Sequence, residues 1–253
     1  MSLLEINNLT KNFGGVQAVS RVNFAVEPGE ILGLIGPNGA GKTTCFNLIS
    51  GLIPPTAGSI LMSGRELVGL PPYRRAARGL GRTFQNIQLF GGMTVLENVL
   101  TGNHLGQQVG ILTALLPLPQ VRRAEAAAAT RALELLQLVG LSGKGDLPAE
   151  SLAYGEQRRL EIGRALALSP QLLLLDEPAA GLNPRETEDL MGLMNELRRL
   201  GITLLVIEHD MTLVMGLCDR IVVLDHGEVI AIGPPKEIRK DPRVIEAYLG
   251  SEQ

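Results

Sequence analysis

Ile31-Leu-Gly-Leu-Ile35 running directly into Gly36-Pro-Asn-Gly-Ala-Gly-Lys42-Thr43-Thr44 is the stretch that decides the fold. The first five residues form a short apolar run of the kind that makes a buried strand. The next eight match the phosphate-loop pattern GxxxxGK[ST], and the context is the one the motif requires, a strand before it and a helix after it. Gly36, Gly39 and Gly41 let the backbone turn so that N–H groups point inward at a phosphate, while Pro37, Asn38 and Ala40 fill the loop. The N-terminus of the following helix adds a positive dipole. Lys42 is placed to reach the terminal phosphates of a nucleotide, the Thr43 hydroxyl can ligate Mg²⁺, and Thr44 continues the cradle. A glycine turn with a purely structural role is the competing reading, and the complete match in its proper context argues against it.

Further along, Leu172 to Leu175 read as a second short strand that ends in two carboxylates, Asp176 and Glu177. Side chains alternate along extended chain, so the two acids need not share a task. Asp176 suits a magnesium ion, and Glu177 suits orienting and polarising an attacking water. A third apolar strand, Thr203 to Ile207, ends at Glu208-His209-Asp210. The loop, the acids and His209 thus all follow carboxyl ends of strands, the edge along which open α/β sheets bind ligands. His209 could hydrogen-bond a phosphate or the attacking water, whereas His104 and His226 are read as structural.

Between the second and third strands lies an amphipathic helix with Asn183 as N-cap, Pro184 at its first position, Glu186 behind and Gly201 at its end. Leu190, Leu193, Leu197 and Leu200 are expected on one face, which makes a βαβ unit of a parallel sheet. Before the phosphate loop, Val22, Phe24 and Val26 alternate as in a strand and stop at Pro28-Gly29. From about Gln85 to Ser169 the period turns helical, with Val121, Ala128, Ala132, Leu135 and Val139 spaced to line one face. The chain closes with a hairpin, Arg220 to Leu224 and Val229 to Ile232 around His226-Gly227, followed by a helical tail ending RVIEAYLG.

Composition narrows the function further. At 253 residues and 45% hydrophobic, the chain can bury a sizeable core without disulfides or a structural metal. Its two cysteines, Cys45 and Cys218, stand apart with no CxxC pattern, which suits a reducing compartment. No secretory signal is read at the start, and no apolar run reaches the about 18 residues that cross a bilayer. The net charge of -3 argues against a nucleic-acid binder. Arg74-Arg75 and Arg158-Arg159 are read as solvated helix faces.

Taken in order, these motifs resemble the ATPase cassette of ABC transporters over nearly the whole chain. The resemblance implies an α/β P-loop NTPase fold, with an N-terminal antiparallel β subdomain and an inserted α-helical subdomain. Residues 1–253 would form one cassette, about 1–84 and 170–253 being the nucleotide-binding core and about 85–169 the helical subdomain. It also implies ATP and Mg²⁺ as ligands and ATP hydrolysis as the activity. Phe13 matches the aromatic position on which adenine stacks, with Val16 near it. Gln85, in RTFQN, matches a glutamine that contacts Mg²⁺ and water and senses the membrane subunits. Leu152-Ala153-Tyr154-Gly155-Glu156 matches the signature segment LSGGQ, which caps the γ-phosphate held by the opposite subunit. Ala153 stands where the family generally has serine, and Tyr154 replaces the first of two glycines. Asn183 occupies a position where the family generally has Asp.

The resemblance is strongest to the ATPases of branched-chain (hydrophobic) amino-acid importers, through LAYG and AAGLNP, and the YLG ending also resembles lipopolysaccharide-transport ATPases. The partners so implied are a second ATPase subunit, identical or related, two membrane permease subunits and an extracytoplasmic binding protein, with the chain peripheral at the cytoplasmic face of the membrane. A soluble ABC ATPase of translation or DNA repair is the rival from another class. Such proteins usually carry tandem cassettes or long coiled-coil insertions, and here a single phosphate loop and a short interval to the signature stand instead. A P-loop kinase would leave the signature segment without a role.

Overall fold

The computed structural model describes residues 1–102 and 119–249, so His104 and the last part of the RVIEAYLG tail fall outside the described residues. Contacts divide the chain into two units, one formed by Met1–Gln85 with Gln171–Gln253 and the other by Asn86–Pro170.

The first unit contains two sheets. Strands β1 (Leu4–Phe13) and β2 (Val16–Val26) pair antiparallel. The chain then enters β3 (Ile31–Ile35) and helix α1 (Lys42–Ser50) before returning as β4 (Ala57–Met62) beside β1, with β5 (Arg65–Glu66) at the edge. The resulting order β2-β1-β4-β5 is the expected antiparallel subdomain, extended by two strands from beyond the phosphate loop. The short helix α2 (Pro72–Ala76) follows, and strand β6 (Leu80–Arg82) leads out of the unit.

The second sheet is formed by β6, β7 (Leu172–Asp176), β8 (Thr203–Ile207), β9 (Arg220–Asp225) and β10 (Glu228–Gly233) together with β3, in the order β10-β9-β3-β8-β7-β6. β9 and β10 form an antiparallel hairpin, and every other pairing is parallel. All five residues of β3, of β7 and of β8 are buried, as expected of central parallel strands covered on both faces. Truncating one of these leucines to alanine should cost about 2–5 kcal/mol. Because β3, β8 and β7 are parallel neighbours, Leu34 and Asp176 are both in register with Ile207, and their carboxyl ends meet at one edge of the sheet.

In the second unit, α3 (Val95–Gly102), α4 (Pro119–Leu138) and α5 (Tyr154–Leu166) bury Val95, Val99, Ala132, Leu135 and Leu160, and Val139 is buried just beyond the end of α4. A Cβ at Gly102 would sit 2.2 Å from the Arg164 carbonyl oxygen, so only glycine allows this close approach.

Back in the first unit, the βαβ helix is α6 (Pro184–Arg199), with Leu190, Leu193 and Leu197 buried as expected. Leu200 departs from the expected face: it lies at the C-cap beyond the last helical turn and is 58% exposed. One member of each arginine pair departs too, whereas Arg74 is exposed as expected. Arg75 is buried because its guanidinium donates to the Leu48 and Ile49 carbonyls at 2.7 Å, satisfying acceptors at the end of α1. Arg158 is buried beside Glu161, one turn along α5, at 3.1 Å. Both cysteines are buried and their thiols are pushed up to about 12, so neither is a nucleophile.

Candidate functional site

The loop after β3 turns where its glycines demand it. Gly36 has φ +149, and a Cβ there would lie 2.0 Å from the Leu224 carbonyl oxygen of β9, so the sheet itself excludes any other residue. The Gly227 N–H, in the β9–β10 turn, donates to the Ala40 carbonyl at 3.1 Å and braces the loop from outside. Helix α1 starts at Lys42 with Gly41 as N-cap and no side-chain cap, so no side chain takes its first N–H groups. The Lys42 ammonium spans the loop, donating to the Gly36 and Pro37 carbonyls at 2.7 and 2.9 Å. Burial pulls its pKa down, and the nearby Glu177 and Asp176 carboxylates oppose that shift.

Beside the loop, β7 ends in Asp176, whose side chain is almost fully buried and accepts from Arg82 at 3.0 Å. Glu177 follows in the left-handed region at φ 46, held there by its N–H donating to the Ile207 carbonyl of β8. The Glu177 Oε2 accepts from Gln85 Nε2 at 3.0 Å and lies 3.9 Å from His209 Nδ1. Glu177, Gln85 and His209, which lie far apart in sequence, are therefore within one cluster. His209 remains 67% exposed in its side chain, open to a ligand.

Phe13 and Val16 face each other at the end of the β1–β2 hairpin, 49% and 68% exposed, with the Lys11 ammonium 5.0 Å from the Phe13 ring centre. Further along β2, the Ala18 carbonyl lies beside Gly41, so this strand runs along the loop. In the other unit, Ala153 is the N-cap of α5 with no side-chain cap bond, and Tyr154 is 47% exposed. Glu156 is bound to Lys144, which together with the Ala153 backbone holds its carboxyl below the usual range. The segment Ala153-Tyr154-Gly155-Glu156 thus opens a helix, as its motif requires.

Two groups escaped the sequence reading. Glu208 is buried, which pushes its carboxyl up, and it accepts from the Ala179 N–H at 2.7 Å, tying the turn after β7 to the end of β8. Its only sequence signal is its place beside His209. Arg82 reaches Asn47, Ser50 and Asp176 at once, and its sequence signal is its place at the head of RTFQN, three residues before Gln85.

The donor set fits magnesium. Among the described residues no group of three or more His, Cys, Asp or Glu is gathered to cage an ion. A hard cation would instead take the Thr43 hydroxyl and the Asp176 carboxylate, with water and phosphate oxygens completing its shell.

Comparison with known proteins bears on the family and the fold. A family model described as ABC transporter matches residues 19–180, and one described as branched-chain amino acid ATP-binding cassette transporter matches residues 228–253. The high-affinity branched-chain amino acid transport ATP-binding protein LivG of Escherichia coli K12 is 50% identical over 249 residues, covering 98% of both chains. The lipopolysaccharide export system ATP-binding protein LptB of Acidithiobacillus ferridurans is 38% identical, over 99% of this chain and 98% of that protein. Among solved structures, a nucleotide-free ATP-binding cassette from an ABC transporter superposes with a TM-score of 0.86 at 33% identity, covering 98% of this chain and 99% of the other. A dimeric cassette in a post-hydrolysis state with ADP and phosphate gives 0.77 at 27% identity, covering 92% and 98%. Whole-length identity, fold and motif order converge, and the chain belongs to the ATP-binding cassettes of ABC transporters, among the branched-chain amino-acid transport ATP-binding proteins.

Proposed function

We propose that the chain is the ATP-hydrolysing subunit of an importer of branched-chain amino acids, working as one half of a cassette dimer. The observation that carries the chemistry is the meeting of the phosphate loop, Asp176, Glu177 and His209 at the ends of adjacent parallel strands. Magnesium, when bound, supplies charge neutralisation between the terminal phosphates. Gly36 to Thr44 would cradle the phosphates through backbone N–H groups and Lys42, and Thr43, Asp176 and Gln85 are the residues that would hold the metal. Phe13 and Val16 offer the exposed surface on which the base stacks. Glu177 accepts the proton of a water it orients, and its contacts with Gln85 and His209 keep its carboxylate in place.

The signature helix α5 presents Ala153, Tyr154, Gly155 and Glu156 to the nucleotide of the partner, by backbone N–H groups rather than a serine hydroxyl. Each chain carries one loop and one signature, so closure needs two chains and two nucleotides. ATP favours the closed pair because only there does it touch both. Two membrane permease subunits transmit that closure, and an extracytoplasmic binding protein delivers the amino acid. No described helix is long and apolar enough to cross a membrane, which suits a peripheral subunit at the cytoplasmic face. The match of residues 228–253 to the branched-chain family supports this substrate class, and the lower identity to the lipopolysaccharide ATPase ranks that alternative second.

The test is reconstitution with membrane permease subunits and a binding protein of a branched-chain amino-acid importer. ATP hydrolysis should rise when the binding protein carries leucine, isoleucine or valine. Stimulation by none of the three would remove the substrate assignment and leave the ATPase.

A further inference from the structure

We propose that Arg82 is a positioning residue for magnesium: it locks the rotation of the Asp176 carboxylate and ties that strand end to the helix that carries Lys42 and Thr43. This rests on the assignment of Asp176 to the metal.

The geometry is specific. Arg82 ends β6, the neighbour of β7, in register with Leu174. Its Nη2 donates to Asp176 Oδ2 at 3.0 Å. Its Nη1 donates the other way, to Asn47 Oδ1 at 2.8 Å and Ser50 Oγ at 2.6 Å, both on α1. The guanidinium carbon lies 5.9 Å from the Phe46 ring centre and 5.3 Å from that of Phe84. One planar fork therefore spans from the phosphate-loop helix to the acidic strand, flanked by aromatic rings. It sits three residues before Gln85, so the strand that carries it also delivers the glutamine.

Stability does not account for this arrangement. The two side chains are 9% and 3% exposed, and a buried ion pair is generally no more stabilising than apolar residues of the same volume. What the pair supplies is direction. A donor anchored elsewhere fixes where the oxygen it bonds points, and here the guanidinium is anchored on α1 through Nη1 while Nη2 holds Asp176 Oδ2. Lysine would keep the charge and lose the second arm of the fork.

The experiment uses the full chain carrying Arg82→Lys, Arg82→Gln or Asp176→Asn. Binding of a fluorescent ATP analogue is measured in EDTA and across a Mg²⁺ titration, with melting temperature alongside. Both Arg82 variants should bind the analogue in EDTA within about twofold of the parent. Their half-saturating Mg²⁺ should rise about 10- to 100-fold, the usual effect of losing a residue that orients a metal ligand. An unchanged Mg²⁺ requirement overturns the proposal, as does an equal loss of affinity in EDTA, which would mark a merely structural role. Asp176→Asn should raise the Mg²⁺ requirement as well. If it does not, the metal assignment fails first, and if it does while the Arg82 variants do not, only the inference about Arg82 fails. Should both Arg82 variants fail to fold, Asn47→Ala with Ser50→Ala removes the helix-side anchors without touching a charge, and the same Mg²⁺ shift, present or absent, decides.

Discussion

Two helices of the nucleotide-binding unit begin in opposite ways. Helix α6 opens on Asn183, whose side chain accepts the Glu186 N–H at 3.0 Å while Glu186 accepts the Asn183 N–H at 3.0 Å. This capping box consumes the donors of the first turn within the chain itself. Helix α1 opens on Gly41 at φ 98, with no side-chain cap and no acidic residue in its first turn. The first helix start is closed for stability, and the second keeps its N–H groups for a ligand that brings its own negative charge. Burial pushes up the thiol of Cys45, in the first turn of α1.

That contrast can be broken from either side. Lys42→Ala should have the largest effect, reducing ATP binding and turnover to background, because it removes the side-chain cation at the open helix start. Equilibrium binding and phosphate release check it, and normal values for both would end the phosphate-loop assignment. Next comes Glu177→Gln, which should keep nucleotide binding while turnover drops about 10²- to 10⁴-fold, the usual share of a positioned general base. Single-turnover measurements that show near-parental hydrolysis would take Glu177 out of the chemistry.

Smaller effects sharpen the comparison. Gly41→Ala places a Cβ 2.5 Å from the Ala18 carbonyl at a left-handed φ, so about 1–3 kcal/mol of strain should appear as weaker nucleotide affinity and a lower melting temperature. Asn183→Ala should cost only about 1 kcal/mol of stability, a shift of about 2–4 °C for a chain of this size. Asn183→Asp should keep that stability, since either side chain caps. A melting temperature that does not respond to Asn183→Ala would mean the capping box contributes nothing.

The sequence was most informative where signals are short. The strands at Ile31, Leu172 and Thr203, the cap at Asn183 and the His226-Gly227 turn are all decided within a few residues, by period, turn chemistry and capping. Leu200 was misplaced because the leucine spacing continues one step past the point where Gly201 stops the helix. The arginines were misread for another reason. Arg75 and Arg158 look like surface charges in isolation, and their burial depends on carbonyls and carboxylates that only packing brings to them.

By itself the sequence determined that a phosphate-loop motif joins a strand to a helix, and which acids and histidine stand at the ends of the neighbouring strands. Only the tertiary structure decided that Glu177, Gln85 and His209 share one cluster, that Glu177 is turned by the Ile207 carbonyl, and that Arg82 joins α1 to Asp176. The physical reason is range. Local conformation follows from neighbours in the chain, whereas the partner of a buried charge is set by which parallel strands lie side by side, and those strands are far apart in the sequence.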